Sequence, residues 1–284
     1  MITEGLVWLI IALPIISFLV NGVLVRAFIG SNSRYAGYIT IAAIGASFVL
    51  SLLALATVMS DGPLDFETHH WIFIGGMNLS FGLILDQLSA IMLLVVSGIS
   101  LLVQIYGQAY MDGDKSYTRY FAYMSLFTAS MLGLVLAGNV IQIFVFWELV
   151  GVSSYLLIGF WMDRPSAAAA AKKAFIMTRF GDFGFLLGIL YLYSIDPSYM
   201  DVSVLYQALE GHQIAASVAT WVALGLFAGA VGKSAQFPLH SWLPDAMEGP
   251  TSVSALIHSA TMVTAGVFLI ARFFPLFEHS NVMP

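Results

Sequence analysis

Residues 140–161 read VIQIFVFWELVGVSSYLLIGFW, with one ionisable side chain, Glu148, in the whole run. A helix needs about 20 mostly apolar residues to cross the hydrocarbon core of a bilayer. This run is apolar on most faces, as a lipid-embedded helix is, and it lacks the alternation over about ten residues that marks a barrel strand. It therefore predicts a membrane helix with a carboxylate near its centre. A charge there costs at least about 2.5 kcal/mol on insertion scales, which makes Glu148 a functional candidate. The plainer alternative is a structural carboxyl bonded to a neighbouring hydroxyl.

Working outward, seven more runs have the same character. The eight together cover roughly 6–28, 38–60, 81–106, 118–137, 140–161, 168–193, 215–238 and 252–274. Hydrophobic residues make up 60% of the chain and charged ones 9%, against about 25% charged in a soluble domain. A soluble globular fold and a disordered chain are both excluded, and an all-α integral membrane protein embedded in the lipid bilayer is expected. The net charge of −6 argues against nucleic acid, which requires basic patches.

Charge sorts the connections. The links after spans one, three and five hold Arg26, Arg34, Lys115, Arg119, Arg164, Lys172 and Lys173, whereas those after spans two, four and six hold Asp61, Asp65, Glu67, Asp196, Asp201 and Glu210 and no basic residue. The positive-inside rule then puts the odd-numbered links in the cytoplasm and the N-terminus outside. No basic residue precedes Arg26, so the first run reads as a retained span rather than a signal peptide. The stop at Pro284, soon after an apolar span, is read as the end of a fragment.

Several chemistries are excluded. There is no cysteine, hence no disulfide, thiolate zinc site or iron–sulfur cluster held by this chain. No Gly-x-Gly occurs, and Gly232-Lys233-Ser234 ends like a P-loop but has Phe227 where that motif needs glycine. The six histidines do not cluster with carboxylates, so no metal site is expected.

Four further sites hold ionisable residues inside spans. Lys233 lies in LFAGAVGKSAQFPLHSWLP, where Pro238 is expected to break the seventh span and free the carbonyl of Ser234. A broken helix beside a lysine is the pattern of transporter sites; the alternative is a lysine snorkelling to the cytoplasmic end. Arg179 and Asp182, three apart in the sixth span, share one helix face and read as an internal ion pair, with Gly181 and Gly184 leaving room for a neighbouring helix. His258 lies among Thr251, Ser252, Ser254, Ser259, Thr261 and Thr264, which favours a proton relay over a satisfied core histidine. Asp86, in FGLILDQLS, reads as a helix cap. His240 and Asp245 read as solvated loop residues in preference to a proton entrance.

The blocks GLILDQLSAIMLLVVSGISLLVQIYGQAYM (82–111), RYFAYMSLFTASMLGLVLAGNVIQIFVFWELVGVSSYLLIGFW (119–161), KKAFIMTRFGDFGFLLGI (172–189) and GKSAQFPLHSWLPDAMEGPTSVSALIHSATMVTAGV (232–267) closely resemble the antiporter-like subunit L, or subunit 5, of NADH-quinone oxidoreductase, respiratory complex I. That resemblance implies a translocase subunit that couples quinone reduction elsewhere in the complex to proton pumping, with no redox chemistry on this chain. Glu148, Lys233, His258 and Asp182 match the family's proton path, and Arg179 supports it as an ion-pair partner. The expected organisation is helices one to three in 1–117, a five-helix antiporter-like unit in 118–274 and a terminal stub in 275–284, with a second unit absent. NADH, FMN, iron–sulfur clusters and quinone are expected on partner subunits, and other membrane subunits of complex I are the expected partners. The location the resemblance implies is a bacterial inner (plasma) membrane, or an organellar inner or thylakoid membrane.

Two other functions compete. One is a subunit of a multi-subunit sodium/proton antiporter or membrane-bound hydrogenase; RFGDFGF in span six, and Thr264 where antiporter relatives typically carry lysine, argue against the antiporter. The other is a scaffold that moves nothing. In the first function Glu148 and Lys233 are expected to form a switchable pair.

Overall fold

The computed structural model describes residues 2–74, 77–259 and 261–282. In chain order its helices are α1 (Glu4–Leu19, continued over Val20–Ile29 with wider π-helical turns), α2 (Tyr35–Asp61), α3 (Gln87–Tyr110), α4 (Tyr117–Leu136), α5 (Val140–Ile158), α6 (Pro165–Ile195), α7 (Val202–Glu210), α8 (Ala216–Lys233), α9 (Trp242–Asp245), α10 (Thr251–Ser259), α11 (Met262–Arg272) and α12 (Phe274–His279). Among the described residues eight segments are long and apolar enough to cross a membrane, with α10 and α11 sharing the last. The chain is a multi-pass all-α membrane protein, as its composition predicts. Of the stretch 275–284, α12 occupies the first part, and Met283 and Pro284 lie outside the described residues.

Two spans differ from their expected form. The third begins at Gln87 rather than 81, because the chain before it forms short antiparallel strand pairs: β1 (Leu64–Asp65) with β4 (Ile84–Leu85), and β2 (His69–Ile74) with β3 (Met77–Phe81). The Asp86 carboxylate accepts from the Ser89 amide at 2.8 Å and so sets the helix start, as expected of a cap. The last span is interrupted one turn beyond Leu256, where Thr261 leaves helical geometry (φ −135, ψ −78) and donates to the Leu256 carbonyl at 2.6 Å.

The central helix is α4, nearly all of whose residues are buried. Polar side chains tie it to its neighbours: Asn21 Nδ2 donates to Thr40 Oγ1 at 2.7 Å, and the Ser17 hydroxyl lies 3.1 Å from both Thr40 Oγ1 and Ser125 Oγ. Such bonds supply cohesion where lipid leaves no hydrophobic drive between helices.

Helices alternate in direction, so links collect at two ends. At one end Arg34 pairs with Asp112 at 2.8 Å, and the Trp161 indole donates to Asp114. At the other, the Gly138 amide donates to Gly82 O and the Val202 amide to Gly138 O, both at 3.0 Å. Arg272, a basic residue at this second, acid-rich end, is 2% exposed and pairs with Asp86. Its guanidinium also donates to Ser89 Oγ at 2.6 Å, and its carbonyl accepts the Tyr206 hydroxyl. Burial pushes the Asp86 carboxyl up, but the Arg272 guanidinium and the Ser89 amide outweigh it and hold the group below the ordinary carboxylate range.

Asp86→Ala is expected to cost about 3–5 kcal/mol, since it leaves a buried guanidinium unpaired. Adding Arg272→Met is expected to recover most of that loss. The depressed carboxyl contributes stability that is fully present above about pH 4 and lost as pH falls through its lower folded value. Thermal unfolding in detergent at neutral and acid pH checks both statements.

Candidate functional site

Three helices bring the charged residues together. α5 carries Trp147 and Glu148, α6 carries Arg179 and Asp182, and Lys233 is the last residue of α8. Glycine permits the convergence. A Cβ at Gly225 would lie 2.8 Å from Gly188 Cα, and one at Gly181 would lie 2.6 Å from Ala228 O. α6 and α8 therefore touch backbone to backbone, the small-residue packing that membrane helices use. On α5, a Cβ at Gly151 would lie 2.7 Å from Lys233 Nζ, so the missing side chain makes room for the ammonium.

Lys233 Nζ lies 3.7 Å from Asp182 Oδ2, and Arg179 Nη1 lies 3.9 Å from the same oxygen. Arg179 also contacts Glu148 directly. Trp147 Nε1 donates to the other Asp182 oxygen at 2.5 Å, and its ring centroid is 5.6 Å from Lys233 Nζ. The result is a file of alternating charge: Glu148, Arg179, Asp182, Lys233. The i,i+3 pair on α6 stands between the other two, as their shared helix face requires. The expected Glu148–Lys233 pair is therefore corrected. Each end of the file is held by the residue of opposite sign on α6.

Asp182 lies about 26 Å along α6 from Pro165 and about 20 Å from Ile195, at 1.5 Å per residue. Lys233 sits at that depth with its side chain 1% exposed, so it does not snorkel. Asp182 is 2% exposed, whereas Glu148 and Arg179 keep 21% and 30% of their side-chain surface.

The seventh span breaks where expected, but the proline is not what ends it. α8 stops at Lys233, Ser234 is already its cap, and Ala235 adopts a left-handed φ of 50° ahead of the cis Phe237–Pro238 bond. The Ser234 carbonyl is thus not a helical group freed by Pro238. A carbonyl at the helix end is satisfied from elsewhere, since buried Trp242 donates its indole N–H to Gly232 O at 3.0 Å; Ser234 Oγ in turn donates to Val263 O on α11 at 2.7 Å.

His258 stands apart from the file. Its ring is 6.5 Å from that of Trp242, and neither ring nitrogen has a hydrogen-bond partner among the described residues. The neighbouring hydroxyls of Ser259, Thr261 and Thr264 donate to backbone carbonyls rather than to it. Asp245 pairs with Lys173 at 2.7 Å on the surface, and His240 stacks on exposed Phe237, as loop residues do. The two indoles, Trp147 and Trp242, are the site groups that sequence reasoning missed. A signal existed, since a buried tryptophan N–H needs an acceptor.

A bundle of membrane-crossing helices with a file of alternating charge between three of them is a polytopic membrane protein with an internal charged site. The family described as NADH:quinone oxidoreductase/Mrp antiporter, transmembrane, matches residues 137–283, and the chain belongs to it. The family described as NADH-ubiquinone oxidoreductase (complex I), chain 5 N-terminus, matches residues 71–121. The chain is 47% identical to NAD(P)H-quinone oxidoreductase chain 5 of Synechocystis sp., over 96% of this chain and 41% of that protein. It is 49% identical to the chloroplastic subunit 5 of Mesostigma viride, over 95% and 42% respectively. It thus spans about two fifths of these relatives' length. Among solved structures it superposes on a chain of the Mrp complex from Dietzia sp. DQ12-45-1b with a TM-score of 0.77 at 30% identity, covering 94% of this chain and 28% of that one. An archaeal membrane-bound sulfane sulfur reductase shares the fold, with a TM-score of 0.78 at 24% identity over 97% and 54%.

Asp182→Leu is expected to destabilise the protein by about 3–5 kcal/mol, because it strands the buried Lys233 ammonium. Adding Lys233→Met removes the stranded charge and is expected to restore most of that stability. Melting temperatures of the two variants in detergent, compared with wild type, check the order.

Proposed function

We propose that the chain is a proton-translocating membrane subunit of a complex I-type NAD(P)H–quinone oxidoreductase. The observation that carries this reading is the file Glu148–Arg179–Asp182–Lys233 at mid-depth. At about 4 Å and an effective dielectric near 20, each contact is worth about 4 kcal/mol, roughly a thousandfold in a protonation equilibrium. A proton leaving Lys233 takes away one of the two cations facing Asp182. Arg179 is then drawn from Glu148 towards Asp182, and Glu148, freed of its cation, takes up a proton. Reloading Lys233 reverses the shift. His258, whose ring lies 6.5 Å from that of Trp242, would extend the proton path beyond Lys233.

The N-terminus faces outward and the basic end faces the cytoplasm or its organellar equivalent. Residues 118–274 form the antiporter-like unit, 1–117 flank it, and 275–284 are a terminal stub. NADH, FMN, iron–sulfur clusters and quinone belong to partner subunits, and the partners are other membrane subunits of the complex. Relatives of cyanobacterial and chloroplastic origin favour a bacterial inner or a thylakoid membrane. The competing reading is a subunit of a sodium/proton antiporter. It draws on the 30% identity with the Mrp complex chain. Against it stands Thr264, whose hydroxyl donates to Thr261 O where a lysine is typical of antiporters.

Glu148→Gln in the full-length parent complex is expected to lower proton pumping more than assembly. A purified variant that pumps at the wild-type ratio in vesicles would make Glu148 structural. Lys233→Arg is expected to harm pumping nearly as much as Lys233→Met, because arginine keeps its proton whereas a buried lysine need not. Native gels first establish assembly. An assembled Lys233→Arg complex with normal pumping would leave Lys233 a fixed charge.

A further inference from the structure

Two cavities adjoin at the basic end, and Arg119 and Tyr123 line both. One, of about 240 Å³, lies against α1 and includes Phe18, Leu19, Val23 and Arg26; the other, of about 170 Å³, lies against α5 and α6 and includes Tyr155 and Lys172. Each is several times the roughly 30 Å³ of a water molecule. No carboxylate lines either. At this end Arg34 is matched with Asp112 and Lys173 with Asp245, while Lys115 and Arg164 stand unmatched outside the cavities. Among the described residues Arg26, Arg119 and Lys172 have no carboxylate partner within ion-pair distance.

Arg119 is held in place for a ligand. One of its terminal nitrogens donates to Phe160 O at 2.9 Å, the guanidinium lies 4.9 Å over the Phe160 ring, and its Nε is buried with no hydrogen-bond partner. It is the third residue of α4, and Arg26 lies in the last turn of α1, so both stand at headgroup depth. Below them Leu19 and Val23 are 51% and 59% exposed on α1. A ligand matching this surface is anionic at its head and apolar along its body.

We propose that the two cavities form a binding site for an anionic phospholipid. Its phosphate is held by Arg119 between Arg26 and Lys172, the Tyr123 and Tyr155 side chains flank the headgroup, and an acyl chain runs down the Leu19–Val23 face. Basic pockets between membrane helices bind such headgroups, at about 1 kcal/mol per cation.

The test places the full-length chain in nanodiscs of phosphatidylcholine containing about a tenth phosphatidylglycerol, the electrostatic probe for such pockets, and counts retained lipid by native mass spectrometry. Wild type is expected to retain phosphatidylglycerol in preference to phosphatidylcholine. Arg119→Gln with Lys172→Gln is expected to weaken retention roughly fivefold for each cation removed. Lys115→Gln with Arg164→Gln removes equal charge outside the cavities and is expected to change nothing. Lys172→Gln alone, at an exposed position, reads the effect if the double variant loses its helical circular dichroism. Equal loss in the control pair, no preference over phosphatidylcholine, full displacement by inorganic phosphate, or absence of the lipid from the intact parent complex would each overturn the proposal.

Discussion

Charge in a medium that does not solvate it is the constraint to which the rest of this structure answers. Lys233 and Asp182 are both almost fully buried and 3.7 Å apart. Either alone would carry a penalty of several kcal/mol. The chain meets that cost by alternation: Asp182 faces two cations, Arg179 faces two carboxylates, and no like charges are adjacent in the file. Because the charges balance in pairs, displacing one of them moves the preferred partner of the next. A static ion pair lacks this property, and a translocation path requires it.

The file in turn dictates the packing. Lys233 reaches Asp182 only because α6 and α8 meet along glycine and alanine, with Gly188 and Gly225 at backbone contact. Its ammonium fits only because α5 presents Gly151. Ending α8 at Lys233 leaves carbonyls exposed at a depth where lipid offers no donor. Trp242 meets one of them by donating to Gly232 O, and Ser234 ties the break to α11 by donating to Val263 O. The second interruption, at Thr261, lies beside the first, and Thr261 closes it with its own hydroxyl. Two breaks in the helical backbone thus lie together in the interior.

The two ends of the bundle follow a different logic. Arg272 is tolerated at the acid-rich end because Asp86 and Ser89 absorb its charge. At the basic end, water and lipid headgroups can accept what the protein leaves unpaired. Three of the cations left unpaired there, Arg26, Arg119 and Lys172, converge on adjoining cavities.

The eight spans, their alternation, the ionisable residues within them and the Asp86 cap were legible in the sequence, because length, apolar composition and capping are local properties of a run of residues. The start of the third span was not. A short apolar strand has the same hydropathy as a helix, and only the pairing of Ile84–Leu85 with Leu64–Asp65 distinguishes them. Partner choice inside the membrane was equally hidden. Glu148 and Arg179 are remote in sequence, and whether Lys233 meets Glu148 or Asp182 depends on how far α6 and α8 interpenetrate and how each is rotated about its axis. The sequence by itself determined which charges must be reconciled in the membrane. The tertiary structure alone decided which of them meet, because that depends on the depth of a glycine seam between helices, to within a few ångströms.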